Sequence, residues 1–273
     1  MRRAQRLFSG HFSYTFTHAI TRAPAPSVIN GLRSVDTGSP DFKRMQIQHS
    51  AYVSALRSTG AEVIELSPLA KFPDSCFVED TALCLPDVAI IMRPGAPTRF
   101  EETRHMAPHL HNLYPTGCVE AIDGISSYVE GGDILTTGRE ILVGRSARTN
   151  ASGIQELKRI LENWEYTVRE VITPKGVLHF KTDCSLLDED TVLCTPRLQA
   201  ADCFEGYKVI KTARGEEAAA NAIRFNDLVL FPAGFPRTRD ALVKAGYNVR
   251  EMENSEFAKI DGGMSCLSLR FSP

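Results

Sequence analysis

No stretch of this 273-residue chain stays apolar long enough to cross a bilayer as a helix, so a helical membrane span is excluded. Nor does charge of either sign dominate: 31 Lys and Arg stand against 33 Asp and Glu. Without a basic stripe or interleaved aromatics, nucleic acid is not an expected partner. The seven cysteines (Cys76, Cys84, Cys118, Cys184, Cys194, Cys203 and Cys266) are odd in number and include no C-x-x-C pair. A disulfide framework is therefore not expected, and free thiols point to a reducing compartment, the cytoplasm. His105, His109 and His111 have no second ligand cluster nearby and read as a solvated helix face, not a zinc site. No linker-like segment divides the chain, and its length suffices for one large core. Residues 1–14 stand apart: Arg2, Arg3 and Arg6 come with no acidic residue and no secretory apolar core. They read as a disordered extension or a start-site artefact ahead of a single domain over 15–273.

What the chain does have is recurrence. An alternating strand over 16–22, a helix over 41–59 with apolar residues near helical spacing, and a strand over 63–66 open it. Polar turns then feed paired apolar runs: 82–85 with 88–92, 128–135 with 141–144, 177–187 with 192–194, and 219–225 with 228–231. A last entrance starts at Lys259 and runs into Ser268–Phe271. Helices are expected over 101–113, 153–164 and 238–245 behind three of these hairpins. Such entrances recur roughly every 40 to 50 residues, the scale on which repeats signal a closed array. The pattern predicts one α/β domain of five ββαβ-like modules around a central axis, a five-bladed propeller. Its first strand would share a module with the C-terminus. A doubly wound sheet is the alternative, and the recurring hairpins argue against an all-parallel arrangement.

If the modules close, their entrances meet at one pocket. Four of them bring functional groups: Asp74, Glu79 and Asp80; Glu130 and Asp133; His179; and Asp261 with Cys266. Cys266 follows Asp261-Gly262-Gly263-Met264-Ser265, a tight turn before an apolar run, and is either a displayed nucleophile or a small buried hydrophobe. Neighbouring carboxylates raise a thiol pKa, so a thiolate there needs positive charge, which a cationic substrate would bring. An electrophilic carbon inside a delocalised cation suggests a guanidinium. His179 is the candidate proton carrier, with Glu130 as its orienting partner, although a histidine between Leu178 and Phe180 also suits a core.

Phe72-Pro73-Asp74-Ser75, Phe77-Val78-Glu79-Asp80, Arg93-Pro94-Gly95-Ala96, Glu130 with Gly132-Asp133, Ser146-Ala147-Arg148-Thr149-Asn150, Leu178-His179-Phe180-Lys181 and Ile260-Asp261-Gly262-Gly263-Met264-Ser265-Cys266 together carry a resemblance. In order and spacing they are similar to the dimethylarginine dimethylaminohydrolase family of the guanidine-modifying, or pentein, superfamily. The resemblance spans nearly all of the chain after Tyr14, and the stretch from Arg197 to Gly215 matches poorly. It implies hydrolysis of Nω,Nω-dimethylarginine or Nω-monomethylarginine to citrulline, through a covalent thiouronium on Cys266 with His179 as acid and base. It further implies that Glu130 supports His179, Asp80 grips the guanidinium, and Glu79 and Asp261 shape the polar wall. Asp74 and the Leu32 backbone would hold the α-amino group, Ile260 would line the pocket, and Arg99 and Arg148 would bind the α-carboxylate. No cofactor or metal is required, and a monomer or homodimer is expected. An arginine deiminase, or a non-catalytic binder of arginine-like ligands, is the competing expectation.

Overall fold

The computed structural model describes residues 10–273. Five three-stranded sheets, each built alike, surround one axis. The first contains β1 (His18–Arg22) and β2 (Glu62–Leu66), joined by helix α1 (Phe42–Arg57). The second runs β3 (Ala82–Cys84), β4 (Ala89–Ile91), helix α2 (Ala107–Leu113) and β5 (Val119–Ala121). The third runs β6 (Ile134–Thr136), β7 (Ile141–Arg145), helix α3 (Ala151–Asn163) and β8 (Val168–Ile172). The fourth is β9 (Cys184–Leu186), β10 (Thr191–Cys194), helix α4 (Pro196–Ala200) and β11 (Lys208–Lys211). The fifth is β12 (Ile223–Phe225), β13 (Leu228–Pro232), helix α5 (Pro236–Lys244) and β14 (Asn248–Met252). After the short helix α6 (Ser255–Ala258), β15 (Leu269–Phe271) returns to the first sheet and pairs antiparallel with β1, His18 opposite Phe271. The expected sharing of a module by the two ends of the chain is thus observed.

In every sheet an inner strand lies antiparallel to a middle strand, and the middle strand lies parallel to an outer one. Parallel pairing requires a crossover, and in each module a helix supplies it. The helices form where caps and apolar stripes agree: the side chains of Asp41 and Asn150 accept from the Arg44 and Gly153 N–H groups, opening α1 and α3. The helix expected over 101–113 differs. A 3-10 stretch, Pro97–His105, precedes α2, which begins only at Ala107. Pro108 cannot donate to a preceding turn and its ring would crowd the carbonyl four residues back, so a continuous α-helix is not available there. The poorly matched stretch 197–215 holds most of α4 and all of β11, and so completes the fourth module.

Residues 1–9 of the expected N-terminal extension lie outside the described residues. Gly10–Ser13 form a 3-10 turn, Phe12 meets Tyr166 edge-on at 6.3 Å between ring centroids, and Tyr14 packs on the cluster around Phe180 and Phe204.

A single 3-10 turn precedes each inner strand: Val78–Thr81, Gly131–Asp133, Phe180–Thr182, Glu217–Ala220 and Ser265–Leu267. These turns ring one end of the axis and carry the polar entrances legible in the sequence. Below them the inner strands line a narrow axial cavity of about 90 Å³ that runs from Glu79, Lys181 and Arg270 to Phe12, Ser13 and Phe16.

Candidate active site

The residues that the sequence singled out converge. One cavity of about 40 Å³ is lined by Leu32, Asp74, Asp80, Arg99, Arg148, His179, Ile260, Asp261 and Cys266, joined by Phe77 and Leu178. That is room for about three water molecules. Glu79 and Glu130 stand behind this lining.

Cys266 is partly exposed and sits in the 3-10 turn after Gly262-Gly263. Asp261 adopts a positive φ of 59°, which turns the chain sharply there. The Gly263 N–H points at the sulfur, 3.4 Å away. Burial, then Glu79 and Asp80, push the thiol up to about 12 against the help of that N–H and of Ser265. Burial and the surrounding carboxylates therefore favour the neutral thiol, and a cation entering beside those carboxylates would favour the thiolate.

His179 is buried, and its Nε2 lies 2.6 Å from a Glu130 carboxylate oxygen and 4.0 Å from Asp80. Burial pushes the imidazole down, but Asp80, the Glu130 hydrogen bond and Asp133 outweigh it and hold the ring at about 9. The ring is thus charged at neutral pH. Glu130 is fully buried and also accepts from the Ala96 N–H and from Arg148. Burial raises its pKa, but the bond to His179 and the surrounding cations bring it to about 2. The glycines after Glu130 permit this packing: a side chain on Gly132 would come within 2.9 Å of the imidazole, and one on Gly131 within 1.9 Å of the Glu79 carbonyl. Asp133 anchors the histidine loop, accepting from the Phe180 N–H at 2.8 Å and the Ser146 hydroxyl at 2.7 Å.

Asp74 accepts from the Leu32 N–H at 2.9 Å, which brings together the pair expected to hold an amino group. Arg148 is half-buried and reaches Glu130 at 3.3 Å. Arg99 borders the same cavity and is buried. Its guanidinium is engaged by Asp80, by Glu102 at 2.8 Å and by the Asp74 and Phe77 carbonyls. Asp261 is exposed at the rim, where it accepts from the Ser34 N–H at 2.6 Å and the Ser34 hydroxyl at 2.8 Å, tying the Leu32 loop to the nucleophile turn. Glu79 is buried among Lys181, Arg270 and the Ser265 hydroxyl, each at 2.7 Å. Sequence reasoning missed these three partners, although Lys181 stood inside a quoted motif and Arg270 is a charge flanked by Leu269 and Phe271 on an inner strand. Asp80, Glu130 and His179 present ligand atoms within 4.8 Å of one another, but Arg99 and Arg148 already neutralise the carboxylates and oppose a further cation.

Comparison with known proteins agrees with this fold. A family model described as arginine deiminase matches residues 73–228. The chain is 41% identical to the N(G),N(G)-dimethylarginine dimethylaminohydrolase of Pseudomonas aeruginosa, over 94% of this chain and all of that one. It is 33% identical to the protein of the same name from Streptomyces coelicolor, over 92% of this chain and 96% of the relative. The solved structure of the Pseudomonas enzyme, a cysteine-to-serine variant complexed with citrulline, superposes with a TM-score of 0.91 over 94% of this chain and all of that one. The architecture is that of the pentein, or guanidine-modifying, superfamily. Within it, this chain belongs to the dimethylarginine dimethylaminohydrolase family.

Proposed function

We propose that this chain is a hydrolase that converts Nω,Nω-dimethyl-L-arginine and Nω-monomethyl-L-arginine to L-citrulline, releasing dimethylamine or methylamine. The observation that carries the reading is the single cavity in which Cys266 and His179 face carboxylates and a half-buried arginine. In this scheme the substrate guanidinium settles against Asp80, the thiol proton is lost to solvent, and the thiolate attacks the guanidinium carbon. The C–N bond breaks as charged His179 gives its proton to the departing amine, leaving a thiouronium on Cys266. The now neutral imidazole takes a proton from water, the resulting hydroxide adds to the same carbon, and the C–S bond breaks to return the Cys266 thiolate while the added hydroxyl loses its proton to solvent and becomes the carbonyl of citrulline. Glu130 orients and charges His179. Glu79, with Lys181 and Arg270, supports the floor, and Asp261 holds the rim.

Asp74 and the Leu32 backbone hold the α-amino group. Arg148 receives the α-carboxylate, with Arg99 adding positive charge behind it. Phe77, Leu178 and Ile260 form the apolar part of the wall, which suits N-methyl groups. An arginine deiminase activity is the second reading, favoured by the family model and by the small discrimination that one or two methyl groups allow. Citrulline formation from dimethyl-, monomethyl- and unmodified arginine separates the two.

The covalent step is tested by mass spectrometry of enzyme quenched during turnover of dimethylarginine. An adduct on the Cys266 peptide is expected, and Cys266→Ser should lose about a thousandfold or more of kcat. Unmodified enzyme with undiminished turnover by the serine variant would remove the mechanism. Free thiols at all cysteines of the described residues suit a cytoplasmic location. We read the chain as a monomer or homodimer, which light scattering of the purified protein decides.

A further inference from the structure

Five entrances ring the axis, and the sequence assigns a functional group to four of them. The fourth in chain order, between the turn Glu217–Ala220 and β12, received none. Its contribution is Asn221, which is 8% exposed. The Asn221 side-chain oxygen accepts from the Ser265 N–H at 2.9 Å. Its carboxamide lies flat on Gly263, so close that a Cβ there would fall 2.2 Å from the amide carbon and nitrogen. Gly263 is the residue whose N–H points at the Cys266 sulfur, and Ser265 immediately precedes Cys266. Other side chains hold this turn through its carbonyls: Asn254 reaches Gly262, Tyr52 reaches Met264, and Arg270 reaches Ser265. Asn221 acts on Gly263, whose N–H faces sulfur, and on Ser265, which adjoins Cys266.

We propose that Asn221 is a positioning residue for the nucleophile, its carboxamide fixing the 263–266 turn so that the Gly263 N–H stays aimed at the Cys266 sulfur. This rests on the reading of Cys266 as the nucleophile. An N–H donor loses its value to a thiolate steeply with misalignment, and hydrogen bonds to charged acceptors are among the strong ones. Asn221 also borders a cleft of about 600 Å³, so truncating it opens onto that cleft instead of leaving a sealed void.

The test is Asn221→Ala in the full chain. Its readings are kcat and KM for dimethylarginine and the rate at which iodoacetamide alkylates Cys266 at pH 8, followed on the Cys266 peptide. The expected result is a loss of about tenfold or more in both kcat and alkylation rate, with KM held within about twofold. A scaffold role alone would lower the melting temperature and leave the alkylation rate of folded enzyme unchanged. Wild-type alkylation overturns the proposal, whether or not kcat falls. Should the alanine variant not fold, Asn221→Ser is read in the same way. Cys266→Ser run in parallel keeps the two failures apart. Turnover by that variant sinks the nucleophile reading itself, whereas an inactive serine variant beside unaltered Asn221 variants sinks only the positioning role.

Discussion

Glu130 gathers a backbone N–H, a guanidinium and an imidazole around one buried carboxylate, and that convergence sets how the site answers to pH. Because His179 is raised from its ordinary 6.5 to about 9, the stability it contributes is fully present below pH 6.5 and is lost as pH rises through about 9. Glu130 gives the mirror case: its contribution is present above its ordinary 4.5 and lost as pH falls through about 2. Both shifts describe one ion pair. A proton donor to the leaving amine must be charged, so kcat/KM, which follows the free enzyme, should decline above about pH 9. Glu130→Gln removes the charge and the strong acceptor. Its alkaline limb should move down toward the ordinary imidazole value, with kcat reduced roughly tenfold to hundredfold. A pH profile of kcat/KM in both proteins checks this, and an unmoved limb would detach Glu130 from His179. The acidic and basic members of this site were legible as residue types at turns. Their exchange of partners was not: Arg99 reads as a substrate ligand in the sequence, yet burial beside Glu102 commits most of its donors internally.

Elements were legible where local chemistry and periodicity agreed, as in α1 and α3, and illegible where a proline or a short strand broke the period. Neither Pro108 within 101–113 nor the five-residue α4 offers enough periodic sequence to outweigh its neighbours. The turn Gly10–Ser13 and the residues just after it are the clearest case. Composition separates them from the domain, but Tyr14 stacks its ring near Arg224 and its carbonyl accepts from the Asn226 N–H at 2.8 Å. Phe12 bears on Tyr166 of the third module. This segment therefore crosses between modules beneath the axial cavity. Phe12→Ala should cost about 1–2 kcal/mol, below the 3–5 of a fully buried ring because Phe12 is only partly buried. Urea denaturation of the full chain measures it. A midpoint equal to wild type would return residues 10–14 to the status of a loose extension.

At the scale of the molecule, the ring closes through contacts that no local pattern announces. Glu79 meets Lys181 across 102 positions and Arg270 across 191, so the recurrence of entrances predicts the modules but not which charges pair inside them. Closure itself depends on β15, whose Leu269 and Phe271 are buried and whose Arg270 holds the Ser265 carbonyl and Glu79 together. Losing the two apolar side chains alone forfeits about 5 kcal/mol or more. That is comparable with the whole stability of a domain, roughly 5–15 kcal/mol. A chain ending at Ser268 should accordingly lack a cooperative unfolding transition. Strand and chain end can be separated, because the Thr17 N–H reaches the Ser272 hydroxyl at 3.0 Å and places the two ends of the domain side by side. A circular permutant that joins Pro273 to Met1 by a Gly-Ser linker and so keeps Phe12 and Tyr14, with new ends at exposed Thr116 and Gly117, retains the β15–β1 pairing. It should fold cooperatively and keep kcat within about tenfold of wild type, since neither new end lines the cavity. If the truncated chain unfolds as sharply as the intact one, or the permutant fails while expressing well, ring closure by the last strand is not what holds the five modules around their common pocket.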